Sequence, residues 1–166
     1  MPKAIELQRD EMLEELNKRN SIEDKFTFLH NVARKQFDFI HRVGVAVHDP
    51  RSDCLKTFAR ITDGDNPVPQ YQYSLSETQS LYRTIPDGRP QAINDRLTLD
   101  SSDENCQRLL EHGFRSSYTI PIYQNAKLAG FVFFDSRMPG VFRADVLPCL
   151  DTLAPQFSLL VSPEQS

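Results

Sequence analysis

A chain of 166 residues with 39% hydrophobic content and eleven phenylalanines has the length and apolar mass for one domain with a substantial core, which excludes a disordered protein. A formal charge of −4 gives no basic footprint for nucleic acid, and no apolar run reaches membrane-spanning length, so neither partner is expected. Three widely spaced cysteines, Cys54, Cys106 and Cys149, with no signal peptide ahead of the first helix, point to free thiols in a reducing cytoplasm.

Residues 3–19 predict a charged helix with a thin apolar stripe, Ile5, Met12, Leu13 and Leu16. Such a stripe is too narrow for a core face and suits a two-helix seam, so a homodimer contact through Ile5, Met12 and Leu16 is weighed against a solvated helix. Asn20-Ser21 breaks the pattern, and Ser21 with Glu23 and Asp24 reads as an N-cap. The helix that follows is expected to run to about Ile40, with Ile22, Phe26, Leu29, Ala33, Phe37 and Ile40 on its buried face. His30 and His41 lie beside that face without a second ligand at helical spacing, so no metal is expected.

Arg42–His48 and Cys54–Ile61 read as a hairpin across Asp49–Asp53, and Tyr71–Leu75 as a short strand. Ser76–Gln79 is a capping box that opens a short helix to Ile85. Gln91–Asp95 is another short strand, Arg96–Asp103 a polar loop, and Glu104–His112 a short helix that Gly113 terminates. Ser116–Tyr123 and Leu128–Asp135 form a hairpin across Gln124–Lys127. Its second strand is apolar almost throughout, so both faces of the sheet should be covered there. A last helix is expected over Arg143–Val161, with Pro148 in its first turn and a kink at Pro155.

This order predicts an α+β domain. A central antiparallel sheet of about six strands carries the N- and C-terminal helices on one face. Short helices and loops cover the other face, where a pocket is expected. The divisions are residues 1–20 for the first helix, 21–161 for the domain and 162–166 for a tail or linker.

From Gly113 onward the chain resembles the second half of a GAF domain, carried by Gly113, Ser116, Pro121-Ile122, Gly130, Phe142, Asp145, Leu153, Ala154 and Gln156. Arg42–Pro50 with Cys54–Arg60 is similar to that family's first hairpin, and the likeness spans roughly residues 21–161. It looks most like the N-terminal sensory part of bacterial HD-type signalling phosphodiesterases. The resemblance implies a non-enzymatic regulatory domain that dimerises through its terminal helices, senses a small molecule and controls an output domain. It also implies ligand classes against which the residues can be read. The Lys–Asp pair of cyclic-nucleotide binders is missing, since Asp135-Ser136 stands in place of Asn-Lys. Cys106 is followed by Gln107 and not by the His usual in bilin binders, and His112 ends its helix where haem would need a pocket ligand. Neither bilin nor haem is expected, and no cofactor is assigned. The alternatives are an enzyme similar to the free methionine-R-sulfoxide reductases, using the three cysteines, and a dimerisation module without ligand. The polar groups expected to line a pocket are Tyr73, Asn94, Asp95, Arg115, Ser117 and Tyr118. Arg115 either clamps an anionic ligand or pairs with Asp95 or a loop carboxylate, and Tyr118 either lines the pocket or simply packs with its hydroxyl at the rim.

Overall fold

Asn125 and Ala126 both adopt left-handed backbone, with φ of 53° and 65°, and make a two-residue turn. That turn matches the twist of the strands it joins. They are β5 (Ser116–Gln124) and β6 (Lys127–Ser136). The computed structural model describes residues 22–62, 72–74, 88–98 and 104–159, with the backbone alone for 22–23, 56–62, 72–74 and 104–106. The expected helix over residues 3–19, its dimer seam at Ile5, Met12 and Leu16, and the helix from Ser76 to Ile85 lie outside the described residues.

The remaining strands are β1 (Arg42–Asp49), β2 (Cys54–Thr62), β3 (Gln72–Ser74) and β4 (Gln91–Ile93). All pair antiparallel in one six-stranded sheet of order β3-β2-β1-β6-β5-β4. The α+β expectation therefore holds, with β6 at the centre.

Strand period two assigns the faces. Val43, Val45, Tyr118, Ile122, Val132 and Phe134 face one side and join the main core. That core is completed by two helices, α1 (Ile22–Gln36) and α3 (Leu147–Leu159), through Phe26, Leu29, Ala33, Leu150, Leu153 and Phe157. Phe157 makes edge contacts with both Phe26 and Phe134, so both helices and the sheet share one aromatic junction. Ala46, Leu55, Phe131 and Phe133 are buried on the other face. Burial on both sides explains why β6 does not alternate.

Two boundaries differ from expectation. Helix α1 stops at Gln36 and not near Ile40, because a turn at Phe37–Ile40 delivers His41 to the sheet, where its N–H donates to the Asp135 carbonyl at 3.0 Å. Ile40 still reaches the core, fully buried. The last helix begins at Leu147 and not at Arg143, since Pro148 is best accommodated in a first turn. Pro155 lies inside that helix on its exposed side, where water can take the Asp151 carbonyl that proline leaves without a donor. The short helix α2 (Glu104–Glu111) ends as expected at Gly113, φ 87°. Phe114 N–H donates to the Leu109 carbonyl and Gly113 N–H to Leu110, both at 2.9 Å, and Leu109 packs on Phe114, the full pattern of a glycine-terminated helix.

Candidate functional site

The sheet face away from α1 and α3 carries a polar cluster at one end of its central strands. Asp135 lies directly opposite Arg42 on β1 and Ser117 on β5, so the three form a row across adjacent strands. Asp135 is completely buried. Arg42 Nη1 donates to its Oδ2 at 2.5 Å, and Arg96 Nη2 to its Oδ1 at 3.3 Å. Arg96 enters from a short 3-10 turn, Arg96–Thr98, that follows β4. Its position is fixed by its own N–H, which donates to the Arg115 carbonyl at 2.6 Å, and by Nη1 against the Phe114 carbonyl at 3.5 Å. Arg42 lies back along β1 over Gly44, where an added Cβ would stand 3.2 Å from Nη2. Glycine at that position leaves room for a guanidinium flat on the strand.

Arg115, just before β5, is not free to clamp a ligand. Its Nε and Nη2 donate to the two Asp95 carboxylate oxygens at 2.8 and 2.7 Å. The hydrogen bond from Arg115 holds the Asp95 carboxyl below the usual carboxylate range, against a smaller opposing effect of burial, and the same bond raises the Arg115 guanidinium. Asp95 also accepts from the Leu97 N–H at 3.1 Å and so caps the turn that carries Arg96. The pair is a strut for Arg96.

Tyr118 points the other way, into the core between sheet and helices, stacked on Phe142. Its hydroxyl donates to Asp151 Oδ1 on α3 at 2.6 Å. Burial first, and the Asp151 carboxylate second, push the phenol well above its ordinary value. A raised folded value means that this stabilisation is complete below the unfolded pKa of about 10 and is lost as the pH rises beyond it. Tyr118→Phe should therefore cost about 1 kcal/mol at pH 8. Between pH 8 and 11 its urea midpoint should fall less than that of the wild type; equal falls in both proteins would show that the hydroxyl does not ionise against α3.

The six residues expected to line one pocket thus part company. Ser117 alone lies in the central row, buried at 0% exposure with its Oγ unbonded. Asp95 and Arg115 brace the flank, and Tyr118 belongs to the opposite face. The Asn94 side chain is exposed, and its carbonyl accepts from the Gly140 N–H at 2.8 Å. Tyr73 sits on edge strand β3, paired with Leu55. Three strands lie between β3 and β5, so their backbones are about 19 Å apart at ordinary strand spacing. Arg42, Arg96 and Asp135 escaped the sequence reading. Arg96 was expected in a polar loop, yet only 4% of it is exposed. The signal for Arg42 was available: its same-face successors on β1, Gly44 and Ala46, are small and leave a shelf.

Among the described residues no group of three or more His, Cys, Asp or Glu could hold a metal ion, and no helix is long and apolar enough to cross a membrane. Cys54 and Cys149 are free thiols, and burial raises the Cys149 thiol away from the reactive thiolate form.

No protein-family model matches the sequence, and no curated protein matches it. Solved structures do. The phycocyanobilin-bound GAF domain of a cyanobacterial phytochrome superposes over 95% of this chain and 93% of its own, with a TM-score of 0.69 at 15% identity. The GAF domain of an Acinetobacter phosphoenolpyruvate-protein phosphotransferase covers 92% and 89%, with a TM-score of 0.65 at 16% identity. A third GAF domain from Synechocystis, in its photoproduct state, covers 87% and 96%, with a TM-score of 0.67 at 18% identity. The chain has the GAF fold.

Several residues that carried the sequence resemblance are fixed by the needs of this GAF fold. Gly113 terminates α2, Gly130 lets β6 pass close to β1, and Phe142, Leu153 and Ala154 fill the core. Asp145 is exposed beside Arg143, 3.6 Å away, and Gln156 is buried with its Oε1 unbonded among the described residues. His112 is half-buried, and its Nδ1 has no hydrogen-bond partner among the described residues.

Proposed function

We propose that this GAF-fold chain is a non-enzymatic sensory domain that binds a small molecule on the sheet face opposite its terminal helices. The observation that carries this reading is the row Arg42–Asp135–Ser117: charged and polar groups buried across the three central strands, at one end of the sheet, on the face that does not hold the helical core. Such groups are costly to bury, and a ligand site is a setting in which a fold keeps them. Ser117 and Tyr118 are successive residues of β5 with opposite orientations. A ligand that shifts Ser117 thereby moves Tyr118, and Tyr118 holds α3 through Asp151. That is a short route from pocket to terminal helix, where a change of population would reach a partner domain.

In this reading residues 21–161 are the sensory unit. The chain acts in the cytoplasm as a homodimer, with Ile5, Met12 and Leu16 in the seam, and controls an output domain of the HD-type phosphodiesterase kind. The test is a thermal-shift screen of the full chain against cyclic nucleotides, amino acids, organic acids, phycocyanobilin and biliverdin, with sedimentation run alongside. A saturable rise in midpoint of a few degrees with one compound class, on a dimer, is expected. No shift with any class would count against sensing, and a monomer at all concentrations would count against the seam.

A further inference from the structure

The buried charges around Asp135 do not balance. Arg42 and Arg96 are 6% and 4% exposed, and they share a single carboxylate that is 0% exposed. A guanidinium does not shed its proton inside a protein, so among the described residues this cluster holds one positive charge more than its carboxylate compensates. Among the described residues no second carboxylate bonds either arginine, and the nearby Asp95 is engaged on both oxygens by Arg115. Three more polar atoms there are buried without a hydrogen bond among the described residues: Nε of Arg42, Nε of Arg96 and Oγ of Ser117. An ion pair built only for stability would carry neither the surplus charge nor the unused donors, because both are costly. Surplus charge and unused donors in one cluster suit a singly charged anion.

Resting on the sensory reading above, we infer that Arg42, Arg96 and Ser117 receive the carboxylate of a small organic acid. The charge argues for a singly charged group, since a phosphate dianion would reverse the imbalance. The planar guanidinium fork suits a carboxylate. The ligand's remaining atoms meet an apolar floor, because the same sheet face continues from Asp135 to Phe133 and Phe131, which stack with ring centroids 6.0 Å apart. The expected ligand is therefore a carboxylic acid with an apolar tail, either a free short-chain acid or the carboxylate arm of a larger molecule such as a tetrapyrrole.

The test titrates the full chain with sodium butyrate, with the uncharged isostere butyramide and with biliverdin, at fixed ionic strength, reading the thermal midpoint and, for biliverdin, its absorbance. Butyrate should raise the midpoint by about 5 °C at a hundred times its dissociation constant, and butyramide should not. Ser117→Ala should leave the ligand-free midpoint unchanged or higher, since it deletes a buried hydroxyl that bonds nothing, while it weakens butyrate binding about tenfold. If biliverdin binds in place of butyrate and Ser117→Ala weakens it likewise, the carboxylate belongs to the larger ligand and the inference stands. Equal binding of butyrate and butyramide would overturn it and leave the sensory reading intact. It would also be overturned if neither acid bound, or if Ser117→Ala left acid binding unchanged. The sensory reading falls as well only when the whole compound screen is blank.

Discussion

Asp135→Ala should cost this protein about 3–5 kcal/mol, a large share of the 5–15 kcal/mol that holds a domain together. The side chain is wholly buried and is the acceptor for both Arg42 and Arg96. Its removal leaves two cations in a space with low access to water, and neither can neutralise itself. The backbone contribution of residue 135 survives, because the His41 N–H donates to its carbonyl. The loss therefore reports the carboxylate itself. Urea unfolding measures it directly, and a loss below about 1 kcal/mol would mean that the arginines are far better hydrated than their exposure indicates. A second substitution sharpens the reading. Adding Arg42→Met to Asp135→Ala should recover part of the loss, since the pair is then replaced by apolar groups and one stranded charge is gone. If the double variant is as unstable as the single losses added together, the two residues do not act on each other.

The same cluster shows what the sequence could and could not disclose. The central hairpin was legible because its strands are β-branched and aromatic and its turn contains Asn125, a residue that tolerates the left-handed backbone found there. The end of α2 was legible because Gly113 has one cheap conformational use. Those signals are local. The site is assembled by register, which is not. Placing Ser117 and Tyr118 together in one pocket contradicts the alternation of a strand, and the hydroxyl of Tyr118 is spent on α3. Arg42 and Asp135 lie far apart in sequence and meet because β1 pairs directly with β6. Arg96 was the hardest to find. Its neighbours Leu97 and Thr98 are exposed, so its segment reads as solvated loop, and only the Arg115–Asp95 strut turns that one side chain inward. Of the charged residues before β5, the one expected to bind a ligand braces the site, and the one expected to lie in solvent builds it.

Gly130→Ala should destabilise the sheet by about 3 kcal/mol or more, against the ordinary sign of that exchange. Alanine usually gains about 0.4–1 kcal/mol over glycine by restricting the unfolded chain. Here the new Cβ would stand 2.0 Å from the Ala46 carbonyl oxygen, 3.1 Å from its carbon and 3.2 Å from Val47 Cα. All three are backbone atoms of β1, so no rotamer change relieves the contact. Nor can β1 retreat. Its far edge is paired to β2, with Ala46 opposite Thr57 and Val47 opposite Lys56, and the register already shifts between Val45 and Ala46. The strain must open the β1–β6 seam, and overpacking against an immovable neighbour sits at or beyond the top of the usual 1–3 kcal/mol range. Gly140→Ala is the matched control. Its φ of 69° makes alanine strained, but nothing lies within 4 Å of the added Cβ, so about 1 kcal/mol is expected from backbone conformation alone. Urea midpoints of the two variants should differ in that order, and a milder effect at Gly130 than at Gly140 would refute the close approach of the central strands. The consequence reaches the site, because the seam that Gly130 keeps closed is the one that sets Arg42 against Asp135. A sheet forced apart there should lose butyrate binding together with stability, whereas Gly140→Ala should lose stability alone.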